Sequence, residues 1–189
     1  MDIIEIIPSY LYSVKYDNQT YDEFHRVFHY WNDVESLVDF FRAHIDYLSH
    51  PFWGDFKDEP EKAAKTVVVD AMDLECYIHE LAKNAQNSKR PDFDEYFHPL
   101  NGKYIYEWNH IPMKGYGVRR PTFLRLYAIK MGQNCYLLVY GGLKLSDTIQ
   151  DSPVLKEQVF KRIDKTLEFL KQEAIADGDD LLGGLTDEI

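Results

Sequence analysis

A chain of 189 residues, 45% hydrophobic and 28% charged, has the length and composition of one globular domain with a sizeable core. No apolar run approaches the roughly 18 residues of a membrane span. The start, Met1-Asp2-Ile3-Ile4-Glu5, has neither the basic region nor the long apolar core of a secretory leader, so a cytoplasmic protein with no membrane contact is expected.

Cys76 and Cys135 fit no zinc or redox spacing, and buried free thiols are expected, with a disulfide as the alternative. The net charge of −11 by itself argues against a nucleic-acid partner. Its distribution argues otherwise. Residues 1–100 hold nine basic and twenty acidic side chains, whereas residues 103–146 hold seven basic and one acidic. Such asymmetry marks a polyanion-facing surface, unless the basic segment pairs with the acidic half of the same molecule.

In chain order, residues 2–16 read as two short strands broken at Pro8, with Tyr10, Tyr12, Val14 and Tyr16 alternating. Asp17-Asn18-Gln19 supplies the turn. Thr20 and Glu23 form a capping-box pattern that predicts a helix start. Phe24, Val27, Phe28 and Trp31 share one face, Asn32-Asp33 interrupts, and Val34, Leu37, Val38, Phe41, Ile45 and Leu48 resume the stripe. A loop over 50–58 brings Phe52, Trp53 and Phe56 onto the body. Asp58 as N-cap and Pro60 in the first turn open a second helix that runs to about Asn84. Residues 93–97 suggest a helical turn and residues 104–108 a strand.

Residues 109–122, with Pro112, Gly115, Gly117 and Pro121 beside Lys114, Arg119 and Arg120, read as an exposed basic loop. Strand 123–131, turn 132–134 and return strand 135–140 form the clearest hairpin. Gly141-Gly142 marks a bulge or a close backbone approach, and the strand continues to Leu145. Ser152 with Pro153 caps a third helix whose stripe is Leu155, Val159, Ile163, Thr166, Phe169 and Leu170. Residues 177–189 form an acidic tail, frayed or docked. The order predicts an α+β domain over residues 1–176, a mostly antiparallel sheet with helices packed on it. Residues 20–84 are its helical elaboration.

Along the strand at 123–130, Leu124, Leu126, Ala128 and Lys130 take the core side, with Lys130 emerging at the turn. Phe123, Arg125, Tyr127 and Ile129 take the other, which is expected to be open. A mid-strand arginine is costly to bury unpaired; it suits a face that meets an anion, and its fork matches a phosphodiester. Pairing with an acidic helix residue is the alternative.

The run PLNGKYIYEWNH…FLRLYAIKMGQNCYLLVYGGLKLSDTIQD, followed by a helix, resembles the RelE/HigB-type toxins of bacterial toxin–antitoxin pairs, including a phage-derived branch. The resemblance covers about residues 97–172 and rests on Pro99-Leu100, Glu107, Arg125, Gly141-Gly142 and Lys144, in that order. It implies a RelE-like fold and a metal-independent mRNA endonuclease that needs no cofactor. Such an enzyme acts with the ribosome and is neutralised by an antitoxin with a helix-turn-helix DNA-binding domain. It further implies that Arg125 stabilises the phosphate and Lys144 is a second cation or acid–base group. Arg119, Arg120, Lys114 and Lys130 would hold backbone phosphates, and Tyr127 would stack a base. This chain differs from such toxins in its acidic N-terminal half and in having neither Tyr nor His within residues 171–189.

Among the histidines, His25 and His29 have i, i+4 spacing but no third ligand in register, so no metal site is expected. His98 and His110 are the candidates for the missing acid–base group. Two functions remain in view, an endonuclease toxin and a non-catalytic RNA- or protein-binding module on the same fold. A third proposal is that the acidic tail covers the basic face.

Overall fold

The computed structural model describes residues 1–100 and 110–183. The strand expected at 104–108, with Lys103 and Glu107, lies outside the described residues, as do residues 184–189. The elements are β1 (Asp2–Ile7), β2 (Leu11–Lys15), α1 (Glu23–Trp31), α2 (Val34–Ala43), α3 (Ile45–Leu48), a 3-10 turn (Pro51–Phe56), α4 (Pro60–Gln86) and α5 (Phe93–Tyr96). Then follow β3 (His98–Pro99), β4 (Ile111–Tyr116), β5 (Leu124–Gly132), β6 (Cys135–Leu143), α6 (Leu155–Gln172) and α7 (Gly178–Gly183). Among these residues no helix is long and apolar enough to cross a membrane.

The fold is α+β. Six strands form one mixed sheet in the order β1-β2-β6-β5-β4-β3. All neighbours are antiparallel except β2 and β6, which run parallel. Placing β2 beside the hairpin buries it on both faces. Leu11 joins the core under α1, α2 and α4, while Tyr12, Val14 and Tyr16 join the core under α6.

That second core corrects the expectation of an open face. Tyr127, Ile129, Met131, Val139 and Tyr140 pack against Leu155, Val159, Ile163 and Leu170 of α6. On the other face, Leu124, Leu126 and Ala128 pack with Val27, Trp31, Leu37, Phe41 and Leu74. Phe123, which precedes β5, belongs to this helical side rather than to the face of Tyr127. Its ring stacks on Trp53 at 4.0 Å and meets Phe41 at 4.9 Å and Phe56 at 5.2 Å. The loop aromatics Trp53 and Phe56 therefore do dock onto the body, while Phe52 stays exposed.

Several local expectations change, each for a physical reason. Helix α1 is capped by Asp22, whose carboxylate accepts the N–H of Phe24 at 2.9 Å and of His25 at 3.3 Å, so Thr20 is not the cap. Asp58 takes a left-handed backbone (φ 56°), which an N-cap does not use, and α4 starts at Pro60 without a side-chain cap. Ser152 does not cap α6: its hydroxyl instead accepts the N–H groups of Leu145 and Ser146, both at 3.1 Å.

The supposed loop at 109–122 contains β4. Its punctuating residues have packing reasons: the Pro112 carbonyl accepts the Leu100 N–H at 2.9 Å, and Gly115 lies under the Tyr96 ring with no room for a side chain. Gly141 and Gly142 mark close approaches, to Val27 and Leu155 respectively; the register shift falls between them and the turn, opposite Tyr127 and Ala128. The last strand ends at Leu143, two residues short of the expected Leu145. Cys76 is exposed rather than buried, and both thiols are free. In the tail, α7 docks through buried Leu181.

Candidate functional site

One end of the sheet is organised by the loop between β4 and β5. Asp70, in the buried stripe of α4, is 1% exposed. Its carboxylate accepts the Arg119 N–H at 2.9 Å and a short hydrogen bond from the Thr122 hydroxyl. Thr122 also accepts the Leu124 N–H at 3.1 Å, which sets the first residue of β5. Gly117 is required here, because a side chain would collide with Asp70 and Thr122.

From this base the cations are presented. The pairings Tyr116–Arg125–Gly142 and Lys114–Tyr127–Tyr140 form two successive rows across β4, β5 and β6 on the α6 side. The Arg125 guanidinium lies 4.6 Å from the centre of the Tyr116 ring. Its Nη1 donates to the carbonyls of Thr122 at 3.0 Å and Leu124 at 2.7 Å. Lys144 follows β6, its N–H donating to the Phe123 carbonyl at 2.8 Å and its Nζ to the Asp147 carbonyl at 2.5 Å. Partial burial holds the Lys144 ammonium below the usual lysine value, and the charges of Arg125 and Lys114 push it further down. Burial also lowers Arg125, to which the charge of Arg120 contributes. The Arg120 Nη1 donates to the carbonyls of Gly117 at 2.6 Å and Arg119 at 2.8 Å.

Arg120, Arg125, Lys114 and Lys144 thus share one end of the sheet. None of them forms an ion pair with a carboxylate among the described residues. The mutual repulsion of Arg125, Lys114 and Lys144, offset in part by the charge of Asp147 on Lys144, favours an anion at this end of the sheet.

The other sequence candidates separate from this group. Arg119 pairs with Asp73 at 2.7 Å, and Lys130 pairs with Asp94 at 2.8 Å beside the β5–β6 turn. Both follow the alternative in which basic residues answer the acidic half. Tyr127 is 1% exposed, so its ring is covered where base stacking needs it open, and burial pushes its phenol well up. His110 is buried, its Nε2 has no partner among the described residues, and burial lowers its pKa. His98 is exposed on β3, paired with Lys114 in the ladder and 6.1 Å from the Tyr116 ring. His25 bonds Asp22 at 2.5 Å while His29 stacks on Tyr21 at 5.8 Å, so the two are engaged separately.

The described tail does not cover the cations. Gly178 lies against Cys135, seven residues of β6 from Gly142, or roughly 23 Å along an extended strand.

Two residues that build the site escaped sequence reasoning. Asp70 had a signal, a carboxylate inside the stripe of Val67, Ala71 and Leu74. Tyr116 would have followed from Lys114 by strand alternation, had β4 been read as a strand. Comparison with protein-family models finds no match, and none is found among curated proteins or solved structures.

Proposed function

We propose that the chain is a RelE/HigB-like toxin, a metal-independent endoribonuclease that cuts mRNA with the ribosome in the bacterial cytoplasm. The observation that carries this is the group Arg125, Lys144, Lys114 and Arg120, free of carboxylate partners among the described residues. In the proposed reaction the 2′-oxygen attacks its neighbouring phosphorus and the bond to the 5′-oxygen breaks. The products are a 2′,3′-cyclic phosphate and a 5′-hydroxyl. Arg125 offers its fork to the crowded phosphate, where added negative charge is stabilised by fixed cations. Lys144, an ammonium that burial and the neighbouring cations make a stronger acid, protonates the leaving 5′-oxygen, and water takes the 2′-hydroxyl proton. Arg120 and Lys114 hold flanking phosphates. An antitoxin with a helix-turn-helix domain and an acidic segment would neutralise the site by occupying the same cations.

A second reading, a non-catalytic RNA-binding module, draws on one observation. Lys144 Nζ directs one of its three protons to the Asp147 carbonyl, which stabilises the charged ammonium as a fixed phosphate-binding cation rather than as a proton donor. One experiment separates the readings: incubation of labelled mRNA with the protein and with ribosomes kept intact in magnesium buffer. The toxin reading requires cleavage to 2′,3′-cyclic phosphate ends, lost in Arg125→Ala and Lys144→Ala. Salt-sensitive binding without cleavage supports the module. Absence of both cleavage and binding refutes the two together.

A further inference from the structure

Beside the cations, at the β3–β4 edge of the sheet, lies a cleft of about 420 Å³. Its walls include Tyr77, Glu95, Tyr96, His98, Tyr116 and Arg120. Tyr116 is shared with the cation group, because one face of its ring carries Arg125. The His98 ring stands 6.1 Å away and is tilted by 50°. The Tyr96 hydroxyl donates to the Tyr116 carbonyl at 2.8 Å, and the Tyr77 ring meets Tyr96 edge-on at 5.9 Å, so the aromatic wall is fixed.

Two polar groups complete the cleft. Glu95 has a half-exposed carboxylate, in a 3.4 Å ion pair with Arg90. Arg120 has its Nη1 fixed to backbone carbonyls, and among the described residues its Nε and Nη2 have no hydrogen-bond partner. A flat ring with hydrogen-bond donors along one edge fits such a lining. From Arg125 on β5 to His98 on β3 is two strand spacings across and two residues along, about 12 Å. That suits a ring linked through a ribose to a phosphate held at Arg125.

We infer that this cleft is a nucleobase subsite that selects guanine. A carboxylate accepts the parallel N1–H and N2–H donors of guanine, whereas uracil presents one donor flanked by two carbonyl oxygens that repel it. The adjoining cations favour a ring that carries phosphate over an aromatic side chain of a protein. The inference rests on the RNA reading above.

The test measures binding of eight-residue oligouridine, of the same oligomer with one central guanosine, and of the same oligomer with one central abasic ribose. The guanosine oligomer should bind roughly tenfold more tightly than the abasic one, in the range of a single base stack. Glu95→Gln, at a half-exposed position, should erase the preference of guanosine over uridine without altering affinity for the abasic oligomer. His98→Ala should lower affinity for the guanosine oligomer alone. Equal binding of all three oligomers overturns the subsite while the phosphate reading stands. An unchanged guanosine preference in Glu95→Gln also overturns it. No binding of any oligomer overturns both.

Discussion

The hydroxyl of Thr122, in the loop before β5, donates to the buried carboxylate of Asp70 on α4, and the same carboxylate accepts the Arg119 N–H. These contacts, with the Arg119–Asp73 ion pair at 2.7 Å, join the acidic helical layer to the loop that carries the cations. The Thr122 carbonyl in turn accepts Nη1 of Arg125. The acidic half of the chain therefore shapes the basic site through the buried Asp70 and the more exposed Asp73.

Thr122→Val keeps the shape and removes the hydroxyl. Asp70 would then be buried with one partner fewer, which is worth about 1–3 kcal/mol. Urea unfolding should show a lower midpoint by that amount, and Thr122→Ser should restore it. An unchanged midpoint in Thr122→Val would show that the contact contributes nothing.

Gly117→Ala places a methyl group against Asp70 and Thr122. Forcing apart a packed contact costs typically about 1–3 kcal/mol. Gly54→Ala, where nothing lies within 4 Å, is the matched control and should leave thermal stability close to wild type. Equal melting temperatures for the two variants would count against the tight loop.

Phe123 stacks on Trp53 and also meets Phe41 and Phe56. Phe123→Ala should destabilise by about 3–5 kcal/mol, the usual effect of emptying a buried aromatic site. Calorimetry checks this. A loss well below that range would mean that the helical layer closes over the gap.

His110 gives a pH dependence with a definite sign. Its ordinary pKa is 6.5 and burial lowers it in the folded state, so folding favours the neutral ring. Stability from this group is fully present above pH 6.5 and declines as pH falls from there toward the lowered folded value, because the unfolded chain takes up the proton first. Denaturation midpoints measured from pH 7.5 to pH 5 should fall for wild type more steeply than for His110→Phe. Parallel profiles would contradict the assignment.

Much of the fold was legible because helices announce themselves by period. The stripes of α1 and α6 gave most of their buried faces, whereas in the α2 stripe Leu37 and Phe41 are buried and Val34 is exposed. What was not legible came from long-range choices. Alternation at Arg125 and Tyr127 identified two faces of β5, but only the packing of α6 decides that Tyr127 is buried. Pro112 and Gly115 read as loop formers because their reasons, a paired carbonyl and the overlying Tyr96 ring, come from elsewhere in the chain. Within the site, Arg125 and Lys144 were found from the strand pattern and the family resemblance. Arg119 and Lys130 looked equivalent to them until the positions of Asp73 and Asp94 set them apart.

The most direct test of the cation site is the salt dependence of RNA binding by wild type, by Arg125→Met with Lys144→Met, and by Arg119→Ala with Lys130→Ala. For single-stranded RNA, each phosphate contact contributes about 0.7 to the slope of log affinity against log salt. The first double variant should bind weakly at low salt and lose roughly 1.4 from that slope, two contacts at that value. The second, whose cations already have carboxylate partners, should stay near wild type. Equal losses in the two double variants, or an unchanged slope in the first, would contradict the assignment of the site to Arg125 and Lys144.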